Sequence, residues 1–181
     1  MLKKGIKKRR LIFFTSLIFI SIAMLNISQV MAYKVWTGWY FPTTAADRGH
    51  FLNPNNVMAD DGYISRVQSY TSWGKVKTTH NFPTTIREIY TIQADVEARR
   101  TGWFAWGKIS LIVKYVTTSY TVTWQSAYIS LGGSYSVITV AVNLNGANYN
   151  PQSLEYYIRV SKSVIGDVDV DYIKIRIQYD I

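Results

Sequence analysis

Three aspartates at alternate positions, Asp167, Asp169 and Asp171, and a further pair, Asp60 and Asp61, are the densest acidic features of this chain. Alternate side chains of an extended segment leave on one side, so the first three can present carboxylates to a common point. Gathered carboxylates suit a hard cation such as calcium, which takes about six to eight oxygen ligands. Asp169, Asp171, Asp60 and Asp61 are therefore the candidate ligands of a structural calcium. Continued strictly, the same period would carry Ile173 and Ile175 to the side of the aspartates. Either a bulge intervenes near Asp171, or Asp171 sits at the rim of the core and accepts hydrogen bonds from a neighbouring turn.

Aromatic residues form the second constellation, drawn from 6 Trp, 14 Tyr and 7 Phe. Trp103, Phe104 and Trp106 crowd a segment bounded by Gly102 and Gly107, and Trp36 and Trp39 lie close to Tyr40 and Phe41. Rings displayed at the edge of a β-sandwich can stack on sugar faces, which makes Trp103, Phe104, Trp106, Trp36 and Trp39 a candidate aromatic platform. The competing role for the same rings is burial in the core. Catalytic chemistry has little to stand on. The two histidines, His50 and His80, have no metal-site spacing, cysteine is absent, and no Gly-x-Ser-x-Gly elbow occurs. Asp47-Arg48-Gly49-His50 reads as a solvated turn, and the chain reads as a binding or structural protein rather than an enzyme.

The elements that must position these residues are strands. Ile92, Ala94, Val96 and Ala98 alternate with Gln93, Asp95 and Glu97, and Ile109, Leu111 and Val113 form a similar face. The pattern recurs through Ile138 to Leu144, Leu154 to Val160 and Ile173 to Tyr179, where apolar positions have period 2. Turn signals punctuate these runs at Asp61-Gly62, Thr101-Gly102, Gly132-Gly133, Asn145-Gly146 and Ile165-Gly166. Eight or more short strands so spaced predict an all-β, antiparallel β-sandwich over residues 33–181.

The charge of the chain divides at residue 32. The formal net charge is +9, from 20 Lys+Arg against 11 Asp+Glu, but Lys3, Lys4, Lys7, Lys8, Arg9 and Arg10 supply six of the cations. They precede an apolar stretch, Leu11 to Leu25, that falls short of the ~20 residues of a comfortable membrane span. Val30-Met31-Ala32 then offers a cleavage site, so residues 1–32 read as a signal peptide. An uncleaved anchor is the alternative, in which case the leader is the chain's one membrane contact. Without the leader, 14 cations face 11 acids, and Arg99-Arg100 is the one adjacent cationic pair. No basic stripe is visible in that spacing, and no nucleic-acid partner is expected.

Two stretches carry a resemblance. Asn53-Pro54-Asn55-Asn56, Ala59-Asp60-Asp61-Gly62-Tyr63 and Phe82-Pro83-Thr84-Thr85-Ile86 resemble the opening half of secreted jelly-roll domains of bacterial and archaeal surface proteins. Val168-Asp169-Val170-Asp171-Tyr172-Ile173-Lys174-Ile175 resembles their final strand. That segment is also similar to the last strand of carbohydrate-binding modules with a galactose-binding-like sandwich. The resemblance implies a structural calcium near an Asp that precedes an aromatic residue. It leaves two functional classes open: an exported module that binds extracellular glycan or a cell-surface polymer, and a structural surface protein that associates with copies of itself.

Overall fold

A computed structural model describes residues 33–68 and 70–180. The predicted signal peptide, residues 1–32, lies outside the described residues. Lys34–Ile181 forms one compact unit. Its strands are β1 (Lys34–Trp36), β2 (Thr44–Asp47), β3 (Ser65–Val67), β4 (Trp73–Thr79), β5 (Ile89–Arg100), β6 (Gly107–Val116), β7 (Thr121–Gln125), β8 (Ile129–Ser130), β9 (Ser136–Ala147), β10 (Leu154–Lys162) and β11 (Val168–Asp180). They form two antiparallel sheets. A five-stranded sheet runs β1-β11-β5-β9, with β3 also on β11, and a six-stranded sheet runs β2-β4-β10-β6-β7, with β8 also on β6. Apart from β6 to β8, successive strands switch sheets, which gives the antiparallel sandwich the alternation predicted, in the jelly-roll form the resemblance implied.

Period-2 patterning decides which side chains meet between the sheets. Ile92, Ala94, Val96 and Ala98 of β5 and Ile173, Ile175 and Ile177 of β11 are fully buried on one side. Ile109, Leu111 and Val113 of β6 and Ile158 and Val160 of β10 are fully buried on the other. Burying each of the Val, Leu and Ile side chains stabilises the fold by about 1.5–3 kcal/mol. Alternate residues of the same strands necessarily point outward, so each sheet carries an outer face whose composition is free to serve function.

The conflict in β11 is resolved by a bulge. Pairing with β5 is regular from Val168 to Val170, shifts register, and resumes at Ile173. The extra residue lets Val168 and Val170 point inward on one side of the irregularity and Ile173 and Ile175 on the other. Asp167 and Asp169 can then lie on the outer side without displacing the isoleucines.

His80 belongs to the core rather than to a reactive site. It is 6% exposed, its Nδ1 donates to the Tyr40 carbonyl (3.1 Å), and its Nε2 accepts from the Thr78 hydroxyl (3.0 Å). Burial pushes the imidazole from 6.5 down to about 4, against the opposing backbone hydrogen bonds. The unfolded chain therefore binds the extra proton first. Its contribution is fully present above pH 6.5 and is lost as pH falls toward 4, by about 3 kcal/mol in all. Urea unfolding at pH 7 and pH 4.5 should show this loss, and H80Q should flatten it. An equal slope in H80Q would contradict the assignment.

Candidate functional site

The outer face of the five-stranded sheet carries several ion pairs and one acidic cluster. Asp169 is fully buried, and Arg66 meets it through Nε at 2.6 Å and Nη2 at 3.2 Å while Arg99 Nε and Nη2 each approach at 3.3 Å. Asp167 pairs with Arg66 (3.5 Å) and Asp95 with Lys174 (3.8 Å). Arg176 donates to Gln93 (2.9 Å) and lies 4.5 Å from the ring centroids of both Trp36 and Trp39. Asp169 is thus the anchor of two arginines and stands apart from the acidic cluster in which the spacing had placed it. The reason is that β3 and β5 flank β11 at this point and bring Arg66 and Arg99 opposite it.

The cluster that does form is Asp60, Glu97 and Asp171, whose carboxylate oxygens lie within 4.8 Å of one another. Asp61 is adjacent but accepts from the Tyr63 N–H (3.0 Å) in its own turn. Glu97 escaped the sequence reading because it is an ordinary outward residue of β5; the bulge at Asp171 and the turn at Asp60 bring partners to it. Burial first, then Asp60, pushes the Asp171 carboxyl up, against a hydrogen bond from the Gly62 N–H. Glu97 is raised by burial and by Asp171. The Oδ1 of Asp171 is buried with no hydrogen-bond partner. Three carboxylates, one with a free buried oxygen, fit the donor chemistry of calcium. Because both folded pKa values are raised, the cluster costs stability above the ordinary carboxylate range, and a divalent cation relieves that cost. Calcium is expected to raise the melting midpoint at pH 7 relative to chelator, and D171N to abolish the difference. Identical midpoints with calcium and chelator would remove the cation from this cluster.

The five rings of the predicted platform fall into two places. Trp36 and Trp39 are half-buried under Arg176, and Trp36 pairs with Gln178 near the far end of β11. Trp103 and Phe104 are 97% and 88% exposed, and Trp106 50%, in the β5–β6 loop beside the start of β11. Ten residues of strand, about 33 Å, separate Gln178 from Val168. A single surface spanning all five is therefore not formed. The core role is not theirs either.

The outer face of the six-stranded sheet is different again. Register aligns Lys75 of β4 with Arg159 of β10 and Ser110 of β6, and Lys77 with Tyr157 and Ile112. The next row holds Glu155 and Lys114. Arg48 lies opposite Lys75 by donating its N–H to the Lys75 carbonyl (2.8 Å). One acid, Glu155, pairs with Lys77; among the described residues Arg48, Lys75, Lys108, Lys114 and Arg159 form no salt bridge. Scattered singly in sequence, these cations are collected by strand parity.

Aromatic rings are set among the charges. Tyr157 lies nearly buried at the centre, with Lys75, Lys114 and Lys77 nitrogens 5.1, 5.4 and 5.9 Å from its ring centroid. Burial, with the Glu155 carboxylate it donates to, pushes its phenol up to about 12. Trp73 stands beside Arg159, whose guanidinium carbon is 5.8 Å from its ring centroid. Gly49 makes room for that ring, since a Cβ there would fall 2.2 Å from it. On the other side of Arg159, Tyr128 is 38% exposed; burial tends to raise its phenol, but hydrogen bonds with Ser161 and Ser110 and the charge of Arg159 leave it lowered. Lys75 is lowered by burial and by the neighbouring Lys114 and Arg159. Arg159 Nε is buried without a partner. Crowded like charges with unsatisfied donors cost the free protein stability, and an anion laid across them would relieve it.

No protein-family model matches this sequence, and no curated protein matches it. The fold is similar to several solved structures. One is a carbohydrate-binding module studied for specific mannan recognition, at TM-score 0.45 and 12% identity, with 82% of this chain and 99% of that one covered. Another is a domain of a multidomain xylanase from the hindgut metagenome of Trinervitermes trinervoides, at 0.43 and 15%, covering 79% and 96%. A third is an arabinose-bound α-L-arabinofuranosidase, at 0.47 and 8%, covering 77% of this chain. The chain spans 23% of the length of that enzyme.

Proposed function

We propose that this β-sandwich is an exported, non-catalytic binding domain that takes an acidic extracellular glycan on the outer face of its six-stranded sheet. What supports the reading is the contrast between its two outer faces. On the five-stranded sheet the cations Arg66, Arg99 and Lys174 are matched by acids, and the charges left over are the carboxylates of the acidic cluster. On the other sheet Arg48, Lys75, Lys114 and Arg159 form no salt bridge among the described residues, and Arg159 stands between Trp73 and Tyr128. Rings at two sides of a polar strip can each take the face of a sugar residue, and guanidinium and ammonium groups between them read carboxylate or sulfate substituents. Export rests on the leader, through which the domain would reach the glycan.

Affinity electrophoresis in gels containing polygalacturonate or neutral galactan tests this. The domain should be retarded by polygalacturonate and much less by galactan, and W73A should lose at least about tenfold of that affinity, as expected for removal of a stacking anchor. Equal retardation in both gels would contradict a role for the cations. Self-association is a second reading, favoured by the 12-residue edge strand β9, which pairs with β5 alone among the described residues. Growth of scattered mass with concentration, without glycan, would favour it.

A further inference from the structure

A separate feature lies at the end of the sandwich where β5 meets β6 and β10 meets β11. Two neighbouring loops there carry Trp103 at 97%, Phe104 at 88% and Trp106 at 50% exposure, with Val164 at 61% and Ile165 at 68%. Their bases are braced against each other. Thr101 N–H donates to the Asp167 carbonyl (2.9 Å) and Asp167 N–H to Thr101 Oγ1 (3.0 Å). Ser163 N–H donates to the Trp106 carbonyl (3.1 Å) and Trp106 N–H to Ser163 Oγ (3.2 Å). Gly166, at φ 81°, lets the loops touch, since a Cβ there would stand 2.1 Å from the Thr101 carbonyl oxygen. The rings are therefore held outward on a fixed base.

The composition of this tip argues against a sugar. Val164 and Ile165 offer neither a stacking face nor a hydrogen bond, and gain only by leaving water. Cations border the apolar residues: Arg100 Nη1 donates to the Gly102 carbonyl (3.3 Å), and Lys108 Nζ lies 5.9 Å from the Trp106 ring centroid. Asp167, at the loop base, is engaged by Arg66. Aromatic and aliphatic side chains in front, with cations behind, match the order of environments met on entering a bilayer whose headgroups are anionic. We propose that this tip docks the domain on an anionic lipid surface, with Trp103, Phe104 and Ile165 entering the interfacial region and Arg100 and Lys108 meeting lipid phosphates. Contact of this kind is reversible, since two loops bury far less apolar surface than a spanning helix.

Lys34–Ile181 contains both sheets and the whole core, so the domain without its leader is the material to test. It is mixed with vesicles of phosphatidylcholine and phosphatidylglycerol, or of phosphatidylcholine alone, and followed by co-sedimentation and tryptophan emission. The anionic vesicles should bind at least about tenfold more tightly, with a blue shift. W103S/F104S should lose at least about tenfold of that binding while keeping its melting midpoint and its retardation by polygalacturonate. Three outcomes would overturn the proposal: no binding to either vesicle; binding that survives W103S/F104S but is lost in K75E/R159E, which would place the lipid on the cationic sheet face; and self-association abolished by W103S/F104S without vesicle binding, which would make a second copy the occupant.

Discussion

The double variant Lys75→Glu/Arg159→Glu is expected to lose binding to carboxylated polysaccharide by at least about a hundredfold, because two charge-assisted contacts, each contributing about 1.5–3 kcal/mol, become repulsive. Its melting midpoint should stay level or rise. The free protein holds Lys75 close enough to Arg159 and Lys114 that their charges, after burial, lower its pKa, and Arg159 Nε is buried without a partner. Reversing the two charges removes that crowding and adds attraction toward Lys114 and Arg48. Opposite signs for binding and stability distinguish a ligand face from a structural one. A variant that melts well below the parent and binds less would show instead that these cations hold the fold together.

Asp169→Ala should be strongly destabilising, costing about 3 kcal/mol of unfolding free energy. Asp169 is fully buried and receives Arg66 and Arg99 from the strands on either side of β11. Removing it leaves two guanidinium groups facing each other across the space it occupied. The arginines are 37% and 38% exposed in their side chains, so water can reach them, which keeps the cost at the lower end of the range for broken buried pairs. Urea denaturation measures it directly. A loss under about 1 kcal/mol would mean that the arginines find other partners or that the pairing contributes little.

Much of this architecture could be read from period-2 alternation. The faces of β5, β9, β10 and β11 were each legible because apolar residues recur at every second position, and the conflict between Asp171 and Ile173 was legible too, with a bulge as one of its two resolutions and the one β11 adopts. What escaped is the information carried by pairing between distant strands. Arg66 and Arg99 give no sign in sequence that they converge on Asp169, some 103 and 70 positions away. Glu97 joined the acidic cluster for the same reason. Most clearly, Arg48, Lys75, Lys77, Lys114 and Arg159 are spread over a hundred residues and seemed to make no basic stripe, yet register places them on one face. Their parity, outward on β4, β6 and β10, was available; the order of those strands in the sheet was not. The exposed loop rings were found by their crowding between two glycines, but their separation from Trp36 and Trp39 depends on which end of β11 each adjoins.

The proposed ligand surface is the outer face of the six-stranded sheet. Its most direct test is titration of the isotope-labelled domain with an oligogalacturonate, followed by amide and indole chemical shifts. The shifts should concentrate at the Trp73 indole and the amides of Lys75, Arg159, Ser110 and Tyr128, and added salt should reverse them. Shifts confined to the Trp103–Trp106 loop, or to the paired charges of the five-stranded sheet, would contradict that assignment.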